Sequence, residues 1–281
     1  MNIVKKINKK LGKLATLARA KTMNNGVKAY WWSKELNFGD LFTQELFYHY
    51  DVTPIETPVA QADIIGTGSL FGMIPKDYEG VILGTGLISD TEDRYEKANF
   101  AAVRGHLTRQ KLGLPQSTPV GDFGFLAIKL LKNRPVKKQY QVGLIPHYVD
   151  KAHPWIEEVK KKLGTNCLVI DVQNTATNVT KQVANCELII SSSLHGIIVA
   201  DSLNIPNVWV ELSDNVIGKG FKFWDYNSAI DYEQSPLVVN TGTTFADVEN
   251  KISNKNSTTI NNKIAEIDGI IVSVLNQYPI N

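Results

Sequence analysis

At 281 residues, 43% of them apolar, the chain holds enough hydrophobic material for one large or two ordinary domains, which excludes a disordered or fibrous protein. Its two cysteines, Cys167 and Cys186, form no CxxC pair and sit among apolar residues, which argues against a disulfide framework or a zinc site and for a reducing compartment. The net charge of +2 conceals an asymmetry: residues 1–22 carry seven Lys or Arg and no acid, so the remainder is acidic.

In that first segment Val4, Ile7, Leu11, Leu14 and Ala18 recur at helical spacing, with Lys5, Lys6, Lys9, Lys10 and Lys13 mostly on the other faces. A basic amphipathic helix of this kind suits an anionic membrane surface, each cation near it adding about 1 kcal/mol. It suits equally a helix docked on its own core or on a partner subunit. Basic and aromatic residues are not interleaved there, so no nucleic acid is expected. No apolar run approaches the roughly 18–20 residues that cross a bilayer, and the expected location is the cytoplasm, peripheral on the inner face of the membrane if residues 1–22 bind lipid.

Beyond this segment short β-rich runs alternate with helical ones, the grammar of an α/β fold. VKAYWW (27–32) reads as a strand and is followed by a helix from about Leu41 to Tyr50. Further strands are expected at 62–66, 80–84, 100–104, 141–145, 167–171, 187–190 and 208–211, and helices at 105–112, 123–131, 153–163, 176–185, 194–203 and 259–276. The basic, proline-bearing stretch KNRPVKKQ (132–139) reads as a linker. The expected division is therefore a basic segment 1–22, an α/β domain 23–134 and a second α/β domain 135–281, whose last helix packs back on the first.

Ligands of open parallel sheets bind beyond the carboxyl ends of the strands, and polar residues gather there in this sequence. NFGD (37–40), GTGS (66–69), GTG (84–86), RGHLT (104–108) and SSSLHG (191–196) all follow strands. Glycine at such turns lets backbone amides approach an anion, although tight turns also need it for steric reasons. Neither GTG continues as GxGxxG, and no P-loop occurs. In LIISSSLHGIIVADSLNIP (188–206), Leu194 onward has helical apolar spacing, which places His195 in a first helical turn, where unpaired amides favour an anion. A capping serine cluster with a satisfied histidine accounts for the same pattern.

Taken together, these residues resemble the polysaccharide pyruvyl transferase family, whose members move the enolpyruvyl group of phosphoenolpyruvate onto a sugar. The resemblance rests on NFGD, the glycine turns GTGS and GTG, VRGHLTRQKLG (103–113), VGDFGFLA (120–127) and the LHG helix, in that order. GKGFKFWDYNSAI (218–230) is further similar to the exopolysaccharide ketal-pyruvate transferase branch. One departure stands out: many members carry arginine immediately before Leu-His-Gly, where this chain has Ser193. That anion contact is either missing or supplied elsewhere.

The resemblance implies two Rossmann-like domains with parallel sheets facing across a cleft, similar to the GT-B glycosyltransferase architecture. It also implies phosphoenolpyruvate as donor, a hexose of a polysaccharide or of its lipid-linked precursor as acceptor, a pyruvate ketal as product, and neither cofactor nor metal. Arg104 and His195 match the family's substrate-binding arginine and histidine. Asp40 is the candidate for orienting or deprotonating the acceptor hydroxyl, with an N-cap as its structural alternative, and Asp122 shares that ambiguity. Ser191, Ser192, Ser193, Gly196, Gly66, Gly68, Ser69, Gly84 and Gly86 are candidate substrate contacts, and Lys219 and Lys222 are placed on a loop that closes over the phosphate. Trp31, Trp32 and Trp224 are candidates for stacking on sugars or for walls of the cleft. Two other readings remain open on sequence: a GT-B-type glycosyltransferase using a nucleotide sugar, and a catalytically silent sugar-phosphate binding subunit of a polysaccharide assembly complex.

Overall fold

The computed structural model describes residues 3–132, 136–253 and 255–278, residues 3–10 by backbone only. The chain opens with helix α1 (Ile3–Met23) and then alternates β1 (Gly26–Tyr30), α2 (Phe38–His49), β2 (Thr53–Glu56), β3 (Ile64–Ile65), β4 (Val81–Leu83), β5 (Asn99–Ala102) and α3 (His106–Lys111). A 3₁₀ helix, Phe123–Leu131, leads to the second series. This comprises β6 (Tyr140–Ile145), α4 (Pro154–Leu163), β7 (Cys167–Val169), α5 (Ala176–Ala184), β8 (Cys186–Ser191), α6 (Leu194–Ser202), β9 (Asn207–Glu211), α7 (Phe221–Ser228), β10 (Leu237–Val238), α8 (Phe245–Glu249) and α9 (Ser257–Leu275). The expected linker and the expected division at 134/135 fall partly on residues 133–135, outside the described residues. Among the described residues no helix is long and apolar enough to cross a membrane.

The fold is α/β, with two five-stranded sheets whose strand pairs are all parallel, ordered β2-β1-β3-β4-β5 and β10-β9-β8-β6-β7. Counted within its own half, each sheet has the same order, 2-1-3-4-5. Strands covered by helices on both faces must be apolar throughout, and β4 and β8 are buried along almost their whole lengths. Helix α2 buries Phe38, Phe42 and Leu46 at four-residue intervals, the stripe a helix needs to face a core.

Two strands escape the periodicity. β2 contains Pro54, which lacks a ladder donor and is tolerated because β2 is the outer strand of its sheet. β10 is two residues long and also an edge. Helix α2 begins at Phe38, not Leu41, because the Asn37 side chain accepts the amide of Gly39 and caps it. Asp40 therefore stands in the first helical turn and is no cap. In α1, Ala20 is buried and Lys13 pairs with Glu56 on β2 at 3.0 Å, while Leu11, Leu14 and Leu17 point to solvent. The side chains of Val4, Lys5, Lys6, Ile7, Lys9 and Lys10 lie outside the described residues.

The two halves are locked together by buried polar contacts. Arg104, at the end of the β5 segment, donates through Nε to Asp225 of α7 at 2.8 Å, and neither side chain has any exposure. Thr108 of α3 donates to the same carboxylate through its amide at 2.7 Å and its hydroxyl at 2.6 Å. Glu45 of α2 accepts the amides of Ala176 and Thr177 at the start of α5. The C-terminal helix α9 lies across the connection between the sheets, with Lys263 Nζ donating to the Val120 carbonyl and Asp268 pairing with Lys129 at 2.8 Å.

Removing one member of a buried ion pair strands the other, at a cost of about 3–5 kcal/mol. Arg104→Leu and Asp225→Leu are each expected to destabilise the protein by about that amount in urea denaturation, and the double variant by less than the sum of the two.

Candidate functional site

In sheets of this order the ligand crevice opens where connections diverge to opposite sides, between the first and third strands. Here that rule names four loops, those after β1, β3, β6 and β8, and all four converge on one cavity of about 290 Å3. Trp32, Asn37 and Asp40 come from the first, Gly68 and Ser69 from the second, His147 and Tyr148 from the third, and Ser193 and His195 from the fourth. Lys222 of α7 closes one side, with Ile88 and Ile217 at the rim. Other depressions on the surface are larger, but this is where the titratable side chains meet.

His195 is the second residue of α6, whose N-cap is Ser193, and is 7% exposed. Its ring lies against the start of α2: Phe38 meets it edge-on at 6.1 Å, Phe42 lies at 6.0 Å, and a Cβ on Gly39 would come within 2.0 Å of its Nδ1. Only glycine fits at 39. Nε2 is buried without a hydrogen-bond partner and faces Asp122 Oδ1 at 3.6 Å, while Asp122 Oδ2 is likewise buried and unpaired. Asp122 also caps the 3₁₀ helix by accepting the Gly124 amide at 2.7 Å. The carboxylate thus faces the imidazole across a gap too long for a hydrogen bond, a carboxylate–histidine pairing of the kind that serves proton transfer.

Two further groups are poised near neutrality. Burial pushes the Asp40 carboxyl up to about 7, against the pull of His195 and Lys222. Burial, and next the Arg104 guanidinium, bring the Lys222 ammonium down to about 8, against the pull of Asp40 and Asp150. His147 is pushed down to about 3, first by burial and then by Lys222, so it is a neutral imidazole. Its loop is held by Ser192, whose Oγ accepts the His147 amide at 2.9 Å and donates to Asp150 at 3.0 Å.

A sequence profile of polysaccharide pyruvyl transferases matches residues 4–214. The chain belongs to the polysaccharide pyruvyl transferase family. It is 24% identical over 218 residues to the succinoglycan biosynthesis protein ExoV of Rhizobium meliloti (strain 1021), covering 75% of this chain and 68% of that one. It is 38% identical over 164 residues to an uncharacterized protein of Acanthamoeba polyphaga mimivirus, covering 55% of this chain, and spans 56% of that protein's length. Among solved structures, an uncharacterized protein from Klebsiella pneumoniae subsp. pneumoniae NTUH-K2044 superposes with a TM-score of 0.42 at 14% identity, over 80% of this chain and 97% of that one. The wall teichoic acid polymerase TagF superposes with a TM-score of 0.46 at 9% identity, over 97% and 93%.

In this pyruvyl transferase family member, seven of the residues singled out from sequence line the cavity: Trp32, Asp40, Gly68, Ser69, Ser193, His195 and Lys222. Arg104 does not. Its guanidinium lies one layer behind the wall, committed to Asp225, to the Ser69 hydroxyl at 2.8 Å and to the Leu87 carbonyl, so it shapes the site through Ser69. Ser191 is spent on the turn, with Oγ accepting the Ser193 amide and lying against the Ile145 and Ser193 carbonyls; Ser192 is spent on His147 and Asp150.

Four glycines serve close packing. A Cβ would meet Ser191 from Gly196, Thr43 from Gly66, Phe123 from Gly84 and the Arg104 guanidinium from Gly86. Lys219 is exposed and faces a separate groove, and Lys222 lies on α7 and not on a closing loop. Trp31 is core, whereas Trp32 faces the cavity. His147 was absent from the sequence candidates, yet its position just past the strand at 141–145 is where the carboxyl-end rule points.

A carboxyl whose folded pKa is raised favours folding fully below its unfolded pKa near 4, and that contribution is lost as pH rises through the folded value, about 7 for Asp40. Asp40→Asn is therefore expected to raise the melting temperature at pH 8, with the gain vanishing below about pH 4. Thermal melts across pH check this, and a gain that does not vary with pH rules it out.

Proposed function

We propose that the protein transfers the enolpyruvyl group of phosphoenolpyruvate onto two hydroxyls of a hexose, in a cell-surface polysaccharide or its lipid-linked precursor, forming a pyruvate ketal and releasing phosphate. The observation that carries this reading is the convergence of Lys222, His195 and Asp40 in one small cavity, in a chain of this family. A volume of about 290 Å3 sits at the small end of ligand sites, which suits a three-carbon donor beside one sugar better than a nucleotide sugar.

Lys222 and the unpaired amides at the start of α6 bind the donor's phosphate and carboxylate. In this role Lys222 provides the cation that Ser193 lacks where many relatives carry arginine. His195, faced by Asp122, delivers a proton to the methylene carbon, which becomes the methyl group and leaves an oxocarbenium-like centre at the adjacent carbon. Asp40 accepts the proton of the first attacking hydroxyl. The C–O bond to phosphate then breaks, the second hydroxyl closes the ketal, and its proton leaves with inorganic phosphate. Arg104 takes no direct part, because its side chain has no exposure and three of its N–H groups bind Asp225, Ser69 and Leu87 behind the cavity.

Calorimetric titration with phosphoenolpyruvate is expected to show saturable binding, weakened by about 1–3 kcal/mol in His195→Ala and in Lys222→Ala. Ser193→Arg is expected to restore much of the loss in Lys222→Ala, whereas Lys219→Ala binds normally. Nucleotide-sugar binding in place of phosphoenolpyruvate binding overturns the reading in favour of glycosyl transfer. For turnover, kcat/KM rises with pH on a limb near 7 as Asp40 ionises and falls on a limb near 8 as Lys222 loses its proton.

For a lipid-linked acceptor, α1 is the anionic-membrane contact, because Leu11, Leu14 and Leu17 are exposed on a segment with seven Lys or Arg and no acid. Replacing the three leucines by serine is expected to abolish binding to phosphatidylserine vesicles while sparing turnover of a soluble acceptor. Undiminished vesicle binding counts against this role.

A further inference from the structure

Across a wall one residue thick from the reaction cavity lies a groove of about 510 Å3, whose lining includes Ser89, Asp90, Leu107, Lys111, Lys219 and Trp224. Ile88 and Ile217 face the cavity, while their chain neighbours Ser89 and Gly218 face the groove. The two chain segments touch there, since a Cβ on Gly218 would fall 1.9 Å from the Ile88 carbonyl oxygen. Cavity and groove therefore flank the same two chain segments, the cavity beside Ile88 and Ile217 and the groove beside Ser89 and Gly218.

Trp224 is 44% exposed, an unusual state for the largest apolar side chain. It is also held firmly. Trp209 meets it edge-on at 5.9 Å and is itself stacked on Phe223 at 4.3 Å with the planes 5° apart. Ahead of it Gly218, Lys219 and Gly220 take φ values of 95°, 46° and 83°, three successive left-handed residues, the middle one a lysine that pays strain to stand beside the groove. An indole flanked by the Ser89 hydroxyl, the Lys219 ammonium and an Asp90 carboxylate paired with Lys111 at 2.6 Å matches a pyranose, which offers one apolar C–H face and a rim of hydroxyls.

We propose that this groove is a subsite for the acceptor chain: it binds the sugar neighbouring the one modified, with Trp224 stacked on its ring and Lys219, Ser89 and Asp90 hydrogen-bonded to its hydroxyls. The inference rests on the acceptor half of the proposed function. It gives Lys219 a task in acceptor selection in place of donor binding, and it makes the enzyme a reader of chain context as well as of a single hexose.

The test is calorimetry with size-graded oligosaccharides from hydrolysed succinoglycan and with gluco- and galacto-oligosaccharides, from single hexoses to octasaccharides, on wild type, Trp224→Ala and Trp224→Phe. In at least one series wild-type affinity is expected to rise with length by up to about tenfold from the stacked ring, a gain that Trp224→Ala loses and Trp224→Phe largely keeps. Phosphoenolpyruvate affinity and melting temperature stay unchanged in both variants, which shows that they remain folded. Affinity that does not depend on length in the wild type, or a length gain that survives Trp224→Ala, overturns the subsite. The two readings fail separately. Trp224-dependent chain binding without phosphoenolpyruvate binding removes the donor assignment and leaves the groove, whereas donor binding and phosphate release that Trp224→Ala leaves unaltered with long acceptors remove the groove alone.

Discussion

The carboxylate of Asp225 holds this site together. It collects three donors from the first half of the chain, the Arg104 guanidinium and the amide and hydroxyl of Thr108, in a place without solvent. Desolvating such a pair is expensive, and well-packed apolar residues of similar volume often replace it without loss of stability. What apolar residues do not provide is direction. Lys222 stands three positions before Asp225 on α7, hence on nearly the same helix face, so anchoring one side chain aims the other at the cavity. The same guanidinium reaches Ser69 on the opposite wall. One buried ion pair thus sets the position of both walls of the site.

Inside the cavity the charges are deliberately unfinished. Asp40 is held near neutrality by burial, Lys222 is brought close to it from the other side, and His195 Nε2, like Asp122 Oδ2 behind it, is buried without a hydrogen-bond partner. Unsatisfied groups of this kind cost stability in the empty protein and are retained where a ligand satisfies them.

Much of this was legible in the sequence, for particular reasons. Buried parallel strands declare themselves as apolar runs, so eight of the ten strands among the described residues stood out, and the turns after them carried glycine and polar residues as the topology requires. The two strands that did not stand out are edges, one broken by proline, where periodicity has least to act on. Within the site, His195 and Asp40 were readable because their loops follow strands. Arg104 misled, because a residue matching a family motif carries no sign of how deep it lies; only the partner 121 positions away, Asp225, takes it out of reach. Ser191 and Ser192 misled similarly, since a serine that braces a loop and one that meets a ligand look alike in sequence. His147 stayed hidden because a lone histidine after a strand is ordinary until the second sheet is folded against the first.

The contact between Gly39 and the ring of His195 bears on how the molecule moves. Gly39 begins a helix of the first half and His195 a helix of the second, and they touch without room for a methyl group, beside an amide of Phe38 bonded to the Val172 carbonyl at 2.8 Å. Swinging the halves apart would strip the histidine of its packing and expose the Arg104–Asp225 pair at once. Hinge opening is therefore a costly route for turnover. With that packing kept, a ligand of the cavity would pass the side lined by Ile88 and Ile217, while the two sheets keep their relative position.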